Sequence, residues 1–407
     1  MNSSRRSPSR YRWRPLRTAA VLLTVAVLAY AFYVVPHRLA LSISLPAASV
    51  LSVRGATEYE HAGSTLLGGR CLALRTRSDG LVLGVVAAGE GRAQLVFMSA
   101  DGGSGSFNLV VPAEPGTAAF FGDRSLVVWS RDPEQGAGVL SGFRALPEDL
   151  GSRTSLSPTW TLPLEHVHVS LESSGGAVLL IGAGYNSVPD TVRLVDLTGK
   201  VIHQQQLVDG LFTSWSIAAL TGGFALAGAE YVDGSMLPFI RQYEPDGALS
   251  ASLVPSDGPA LLLSLSPTGK YVSAVTPKYV SLWESGGAKL WSELFPGSRA
   301  LKLRTFADGR TLLSTTDATL ALDLTGRAYH RWRTPAPGAV AGGGPTDLAV
   351  FNVAGGCVVV NTAGVGQALA VWEGPTELVA LDPSARFLAR AGAGELQFMV
   401  LPGRAGP

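Results

Sequence analysis

The sequence predicts an all-β fold made of repeated four-stranded antiparallel units, and three observations carry that prediction. Glycine supplies 48 and proline 25 of the 407 residues, while charged residues make up only 15%, a balance that suits short strands and frequent turns over long solvated helices. Apolar and polar residues alternate in short runs, the two-residue period of half-buried strands, and helical periodicity is nearly absent after residue 36. A hairpin pattern also recurs, mostly every 40 to 53 residues, which is the length of a four-stranded unit.

The first 17 residues carry Arg5, Arg6, Arg10, Arg12, Arg14 and Arg17 and no acid. Without this basic tail the rest of the chain is mildly acidic, which gives no general electrostatic reason to bind nucleic acid. Residues 18–35, "TAAVLLTVAVLAYAFYVV", are uncharged and span about 27 Å as a helix, close to the thickness of a hydrocarbon core. They predict one transmembrane helix, with Trp13, Tyr30 and Tyr33 near its ends. The preceding arginines place the N-terminus in the cytoplasm and everything beyond about residue 36 outside. A cleaved signal peptide is the alternative, since Ala29-Tyr30-Ala31 fits a small-x-small cleavage pattern and cleavage there gives a secreted protein. Against it, the apolar run continues through Val35, and with no cysteine nearby a lipoprotein anchor is excluded. A linker at 36–46, the repeat domain at 47–402 and a short tail at 403–407 complete the expected organisation.

The cleanest unit runs from Leu263 to Leu294, "LSLSPTGKYVSAVTPKYVSLWESGGAKLWSEL". Its first hairpin has relatives from Leu72, Val169, Ser216, Lys302 and Leu378, and looser ones from Ala118 and Leu348. A second hairpin type follows in "RLVDLTGKVIHQ", "RQYEPDGALSAS", "SLWESGGAKLWS" and "LALDLTGRAYHR". In it an acid precedes a glycine by about three residues, which suits a turn whose last position needs positive φ and whose amides bond the acid. Two hairpins make one blade of a β-propeller, and the turns near Gly80, Asp123, Gly176, Gly223, Gly269, Gly309, Gly355 and Ser384 count eight blades, or seven if the last two merge. The last spacing is too short for four strands, so an early strand, "AASVLSVRG" from Ala47, is expected to complete the final sheet and remove its open edge.

The segments "VDLTGKVIH", "ALDLTGRAYHRW" and "SLWESGGAKLW" resemble the blade signature of quinoprotein-like (PQQ-like) and WD-type β-propellers, whose outer strands read apolar-x-Asp-x-x-Gly-x-x-x-Trp. The resemblance covers nearly all of residues 47 to 402 and speaks to fold rather than function. The aromatic slot is filled by Trp291 in one unit, by His203 in another, and by His330 with Trp332 in a third. Quinone-dependent enzymes of this fold imply ligands around a central cofactor and calcium, and some carry a disulfide of neighbouring cysteines. Here Cys71 and Cys357 are the only cysteines, so that vicinal bond is excluded. An oxidising compartment permits a bond between first and late blades; the simpler reading is two buried thiols filling strands.

No catalytic residue and no cofactor-binding residue is assigned, since no G-x-S-x-G elbow, phosphate loop, H-E-x-x-H or C-x-x-C occurs. His166 and His168 stand two apart in "EHVHVS", which puts both rings on one side of a strand where they can share a metal. Only Glu165 is near as a third ligand, and alternation points it the other way, so a polar strand face is the competing reading. Trp129, Trp160, Trp215 and Trp372 either line a binding surface or wedge between blades. "AGYNSVPD" from Ala183 and "YVDGSM" from Tyr231 read as longer loops between second and third strands. The expected function is a non-enzymatic protein- or ligand-binding scaffold held outside the membrane by one helix. The alternative is an exported propeller enzyme, a quinone-dependent oxidoreductase or lactonase-like hydrolase, with a metal or cofactor in the central channel.

Overall fold

The computed structural model describes residues 49–401 except for 51–56, 90, 123, 133–136, 145–153, 167, 185–188, 256, 295–298, 334–339, 342–347, 354–355, 362–367, 374–377, 383–385 and 393. The basic tail, the apolar segment at 18–35, the linker at 36–46 and the tail at 403–407 lie outside the described residues. Among the described residues, no helix is long and apolar enough to cross a membrane.

The described strands form eight sheets, each with a core of four antiparallel strands. Blade 1 is Gly69–Thr76, Leu81–Ala88, Arg92–Ser99 and Ser104–Leu109; blade 2 is Glu114–Phe121, Ser125–Asp132, Ala137–Arg144 and Trp160–Leu164. Blade 3 is His168–Ser173, Ala177–Ala183, Asp190–Asp196 and Val201–Leu207; blade 4 is Gly210–Ile217, Phe224–Val232, Ser235–Tyr243 and Leu249–Leu253. Blade 5 is Leu262–Leu265, Tyr271–Val275, Tyr279–Glu284 and Lys289–Leu294; blade 6 is Ala300–Thr305, Thr311–Thr315, Thr319–Leu322 and Ala328–Arg333. Blade 7 is Val340–Ala341, Leu348–Val353, Gly356–Asn361 and Ala368–Glu373. Blade 8 takes Leu378–Leu381, Phe387–Gly392 and Glu395–Val400 from the C-terminal end and Glu60–Leu66 from the N-terminal end.

The closure differs from the sequence expectation in which residues perform it. Ser49–Val50, in the segment from Ala47, pairs in parallel with the outer strand of blade 6, and Thr57–Glu58 pairs in parallel with that of blade 7. Glu60–Leu66 is the strand that lies antiparallel on Glu395–Val400 and completes blade 8. An outermost strand faces solvent, so its sequence, "EHAGSTL", carries little apolar signal. Hydrophobic alternation therefore points to the more apolar "SVLSV" instead. The hairpin from Leu348 also differs: it joins the second and third strands of blade 7, so Gly355 is no first-hairpin turn and the short final spacing is only apparent.

Stacking of the blades buries the second strand of each on both faces, and these strands therefore read as continuous apolar runs such as Leu81–Ala88 and Tyr271–Val275. Leu83, Leu95, Leu126 and Phe143 fill the seam between blades 1 and 2. Leu179 and Leu194 meet Phe224 and Leu226 between blades 3 and 4. Val82 and Val96 meet Ala389 and Phe398 between blades 1 and 8, which closes the ring.

The acid-to-glycine turns behave as their spacing predicts, and they also serve as docking points. Asp196 Oδ1 accepts the amides of Thr198 and Lys200 at 2.8 and 3.0 Å, and Asp323 Oδ1 does the same for Thr325 and Arg327. The closing glycines Gly199, Gly247 and Gly326 have φ of 86, 84 and 83°. Each receives an aromatic from the outer strand of the preceding blade: Trp160 on Gly199, His203 on Gly247 and Trp291 on Gly326. A Cβ at Gly326 would stand 2.7 Å from the Trp291 ring. Gly326→Ala therefore combines a left-handed backbone with a clash and should cost about 1–3 kcal/mol. A lower urea midpoint at unchanged slope is the expected reading; an unmoved midpoint would show that the docking is slack.

Candidate functional site

The inner strands are bonded across the seams by a repeated device. Counting each inner strand back from its first turn, the last residue faces the preceding blade and the residue before it faces the following one, as strand alternation requires. The amides of Ile217, Leu265 and Thr305 donate to Glu172 Oε2, Ser216 Oγ and Ser264 Oγ of the preceding blade at 3.1, 3.0 and 2.9 Å. Hydroxyls of Thr76, Ser173 and Thr305 donate to the carbonyls of Ala380, Phe120 and Ser264. Where the penultimate residue is arginine it reaches forward: Arg75 to the Gly122 carbonyl and Arg304 to that of Leu348.

Two charges in this belt are set apart by their surroundings. Enclosure among the inner strands pushes the Glu172 carboxyl up to about 7, against the opposing pull of the Ile217 N–H and of Lys302. Lys302, on the inner strand of blade 6, has its ammonium lowered first by enclosure and then by Arg304, against the attraction of Glu172. The pair is thus coupled through space, with no direct ion pair between Glu172 and Lys302. Sequence reading passed over Glu172. The signal was present in the repeat itself, where Ser216 and Ser264 hold its position in the next two blades.

The two candidate histidines are placed differently from one another. His166 is buried, with Nε2 3.2 Å from the Pro189 carbonyl oxygen and its ring against Gly182, whereas His168 is exposed on the inner strand of blade 3. No group of three or more His, Cys, Asp or Glu side chains able to hold a metal occurs among the described residues. Trp129 is buried between blades 2 and 3, Trp160 lies on Gly199 and bonds the Leu197 carbonyl at 3.1 Å, and Trp215 packs on the cluster between blades 3 and 4. These three are wedges; the Trp372 side chain lies outside the described residues. Cys71 is buried in blade 1, its Sγ 3.3 Å from the Ala73 carbonyl oxygen, and blade 8 stands between it and the blade 7 strand that carries Cys357.

The most conspicuous surface feature belongs to blade 4. Phe224–Val232 and Ser235–Tyr243 are nine residues each and turn on Asp233-Gly234 alone, both with positive φ. "YVDGSM" is therefore the tip of a long hairpin rather than a longer loop, its two-residue turn matched to strand twist. Tyr231 pairs with Met236 on one face of the tip, and Leu237 opposes Glu230 on the other. Tyr231, Met236 and Leu237 are 57%, 44% and 45% exposed. With apolar side chains exposed on both faces, the tip extends beyond the cover of neighbouring sheets. The Tyr231 amide bonds the Asp209 carbonyl at 2.7 Å, which brings exposed Val208 beside it. Between residues 208 and 240 the charges are Asp209, Glu230 and Asp233, with no cation, and Arg241 is committed to Glu230 at 2.6 Å.

This architecture is that of a β-propeller, and solved WD40 domains are similar to it in fold. The C-terminal WD40 domain of Sif2 superposes with a TM-score of 0.61 at 11% identity, over 86% of this chain and 99% of that one. Sqt1 of Saccharomyces cerevisiae gives 0.53 at 12% identity, over 86% and 100% of the two chains. KlAtg21, solved in complex with the coiled coil of AgAtg16, gives 0.52 at 12% identity, over 76% and 100%. No protein-family model and no curated protein matches the sequence. At these identities the likeness is one of fold.

Proposed function

We propose that the chain is a membrane-anchored, extracytoplasmic propeller that acts as a non-enzymatic scaffold and binds a protein partner through the blade 4 hairpin. The observation that carries this reading is the apolar tip at Tyr231, Met236 and Leu237, exposed on both faces of a two-strand ribbon. Contiguous exposed apolar surface in a polar setting is costly in water and is characteristic of association sites. That a structural neighbour was solved with a coiled coil is consistent with this use of the fold. The anchoring and topology rest on the six arginines followed by the uncharged run at 18–35.

A photo-crosslinking residue at Met236 or Tyr231, in cells, is expected to give one discrete adduct. The same residue at Ser252, exposed on the outer strand of blade 4, should give none. Equal labelling from both positions, or none from the hairpin, would remove the reading. Protease treatment of intact cells checks the topology, since an extracytoplasmic propeller is reached without lysis.

A further inference from the structure

A groove of about 470 Å³ opens in the seam between blades 2 and 3. Pro112, Val139, Pro163 and Leu164 make its walls largely apolar, and Glu165 and Arg193 supply its charges. Arg193 sits on Asp190–Asp196, paired with Leu180 and Gln204, so its side chain shares the face by which Leu180 packs on blade 2. Its Nε donates to Gln204 Oε1 at 3.0 Å, while Nη1 is buried without an acceptor and Nη2 has no acceptor in the protein. Glu165 attracts the guanidinium through space without pairing with it, and burial opposes the charge.

A second donor beside the groove is in the same condition. Trp129 Nε1 is buried with no acceptor, and it packs so closely on Gly138, which lines the groove, that a Cβ there would stand 2.5 Å from that nitrogen. A guanidinium N–H that has lost water without gaining an acceptor is expensive, and a planar oxyanion is the group that best supplies one, because it takes two parallel N–H bonds. Apolar walls next to such a cation fit a ligand with an aliphatic body rather than a bare inorganic ion.

We propose that this groove binds a carboxylate borne on a short branched aliphatic body, with Arg193 holding the carboxylate and Pro112, Val139, Pro163 and Leu164 enclosing the aliphatic part. The C-terminal residue of a peptide and a free branched-chain acid share this chemistry. The site is separate from the blade 4 hairpin, so it stands or falls independently of partner binding there.

Titration calorimetry of the full chain with N-acetyl-leucine, N-acetyl-leucinamide and a short peptide ending in leucine tests the assignment. The acid should bind at least tenfold more tightly than its neutral amide, and Arg193→Met should bring the acid down to the level of the amide. Arg193→Lys, which keeps the charge but loses the fork, should fall between. Binding of the peptide alone identifies a chain terminus as the ligand, and binding of the blocked acid alone identifies a free acid. Equal affinity for acid and amide, unchanged acid binding in Arg193→Met, or no binding of any probe would overturn the assignment. Thermal unfolding separates loss of the site from loss of the fold, since Arg193→Met removes an unsatisfied charge and should melt no lower than the parent chain.

Discussion

A chain beginning at residue 67 should fail to fold as a cooperative monomer, whereas one beginning at residue 59 should keep a single sharp transition. The difference between them is Tyr59 and the strand Glu60–Leu66. That strand runs from Glu60 opposite Val400 to Leu66 opposite Glu395, and the Leu67 amide adds a bond to the Gly394 carbonyl at 2.7 Å. Losing the ladder forfeits several net hydrogen bonds and some packing, on the order of 5 kcal/mol, which rivals the whole stability of many domains. It also leaves Glu395–Val400 as an open edge that can pair with another chain. Both chains lack Ser49–Val50 and the Thr57–Glu58 pair, so the comparison isolates the closing strand together with Tyr59, which is buried beside it. Size-exclusion chromatography and urea unfolding read the outcome; a monomeric, cooperative 67–407 would show that the ring does not need its latch.

Glu172→Gln should raise stability above pH 7 and flatten its dependence on pH. The folded-state pKa of this carboxyl is about 7 against an ordinary 4.5. Between these values the folded chain holds a proton that the unfolded chain has released, so unfolding free energy falls as pH rises through the interval. At roughly 1.4 kcal/mol per pH unit the loss has a ceiling of about 3 kcal/mol, complete a little above pH 7. Glutamine retains an oxygen for the Ile217 amide and removes the charge. Lys302→Met should move the fall to higher pH, because the ammonium is one of the two groups that favour the carboxylate. Unfolding midpoints measured from pH 4.5 to 9 decide it, and parallel curves for parent and Glu172→Gln would assign the titration elsewhere.

The blades were legible because their grammar is local. A turn that needs positive φ selects glycine three residues after an acid, and a strand covered on both faces selects an unbroken apolar run; both patterns survive in one-dimensional sequence. What failed depended on neighbours far along the chain. Glu60–Leu66 is polar because water covers its outer edge, so hydrophobic alternation could not find it. Gly355 resembles a first-hairpin turn because every turn in this fold uses the same residues, and only the ring shows which pair of strands it joins. Arg193 was invisible as a site for a related reason: its significance lies in acceptors it lacks, and a sequence lists residues, not the partners missing from around them. Glu172 was within reach, since setting the repeats side by side puts a carboxylate where two serines stand.

The path of the N-terminal segment around blades 6 and 7 into blade 8 imposes an order on biosynthesis. Ser64 faces Gln397, roughly 330 residues later in translation, so the first of the blade-core strands to be made is among the last to find its place. Contacts of such sequence separation slow folding. At common elongation rates of about 5–20 residues per second the closing strand waits for tens of seconds with its backbone unpaired. Its polar and small residues, Glu60, His61, Gly63 and Ser64, are well suited to that wait, since they give a nascent strand little with which to aggregate. The polarity that hid this strand from pattern recognition is also what keeps it available until the C-terminus arrives.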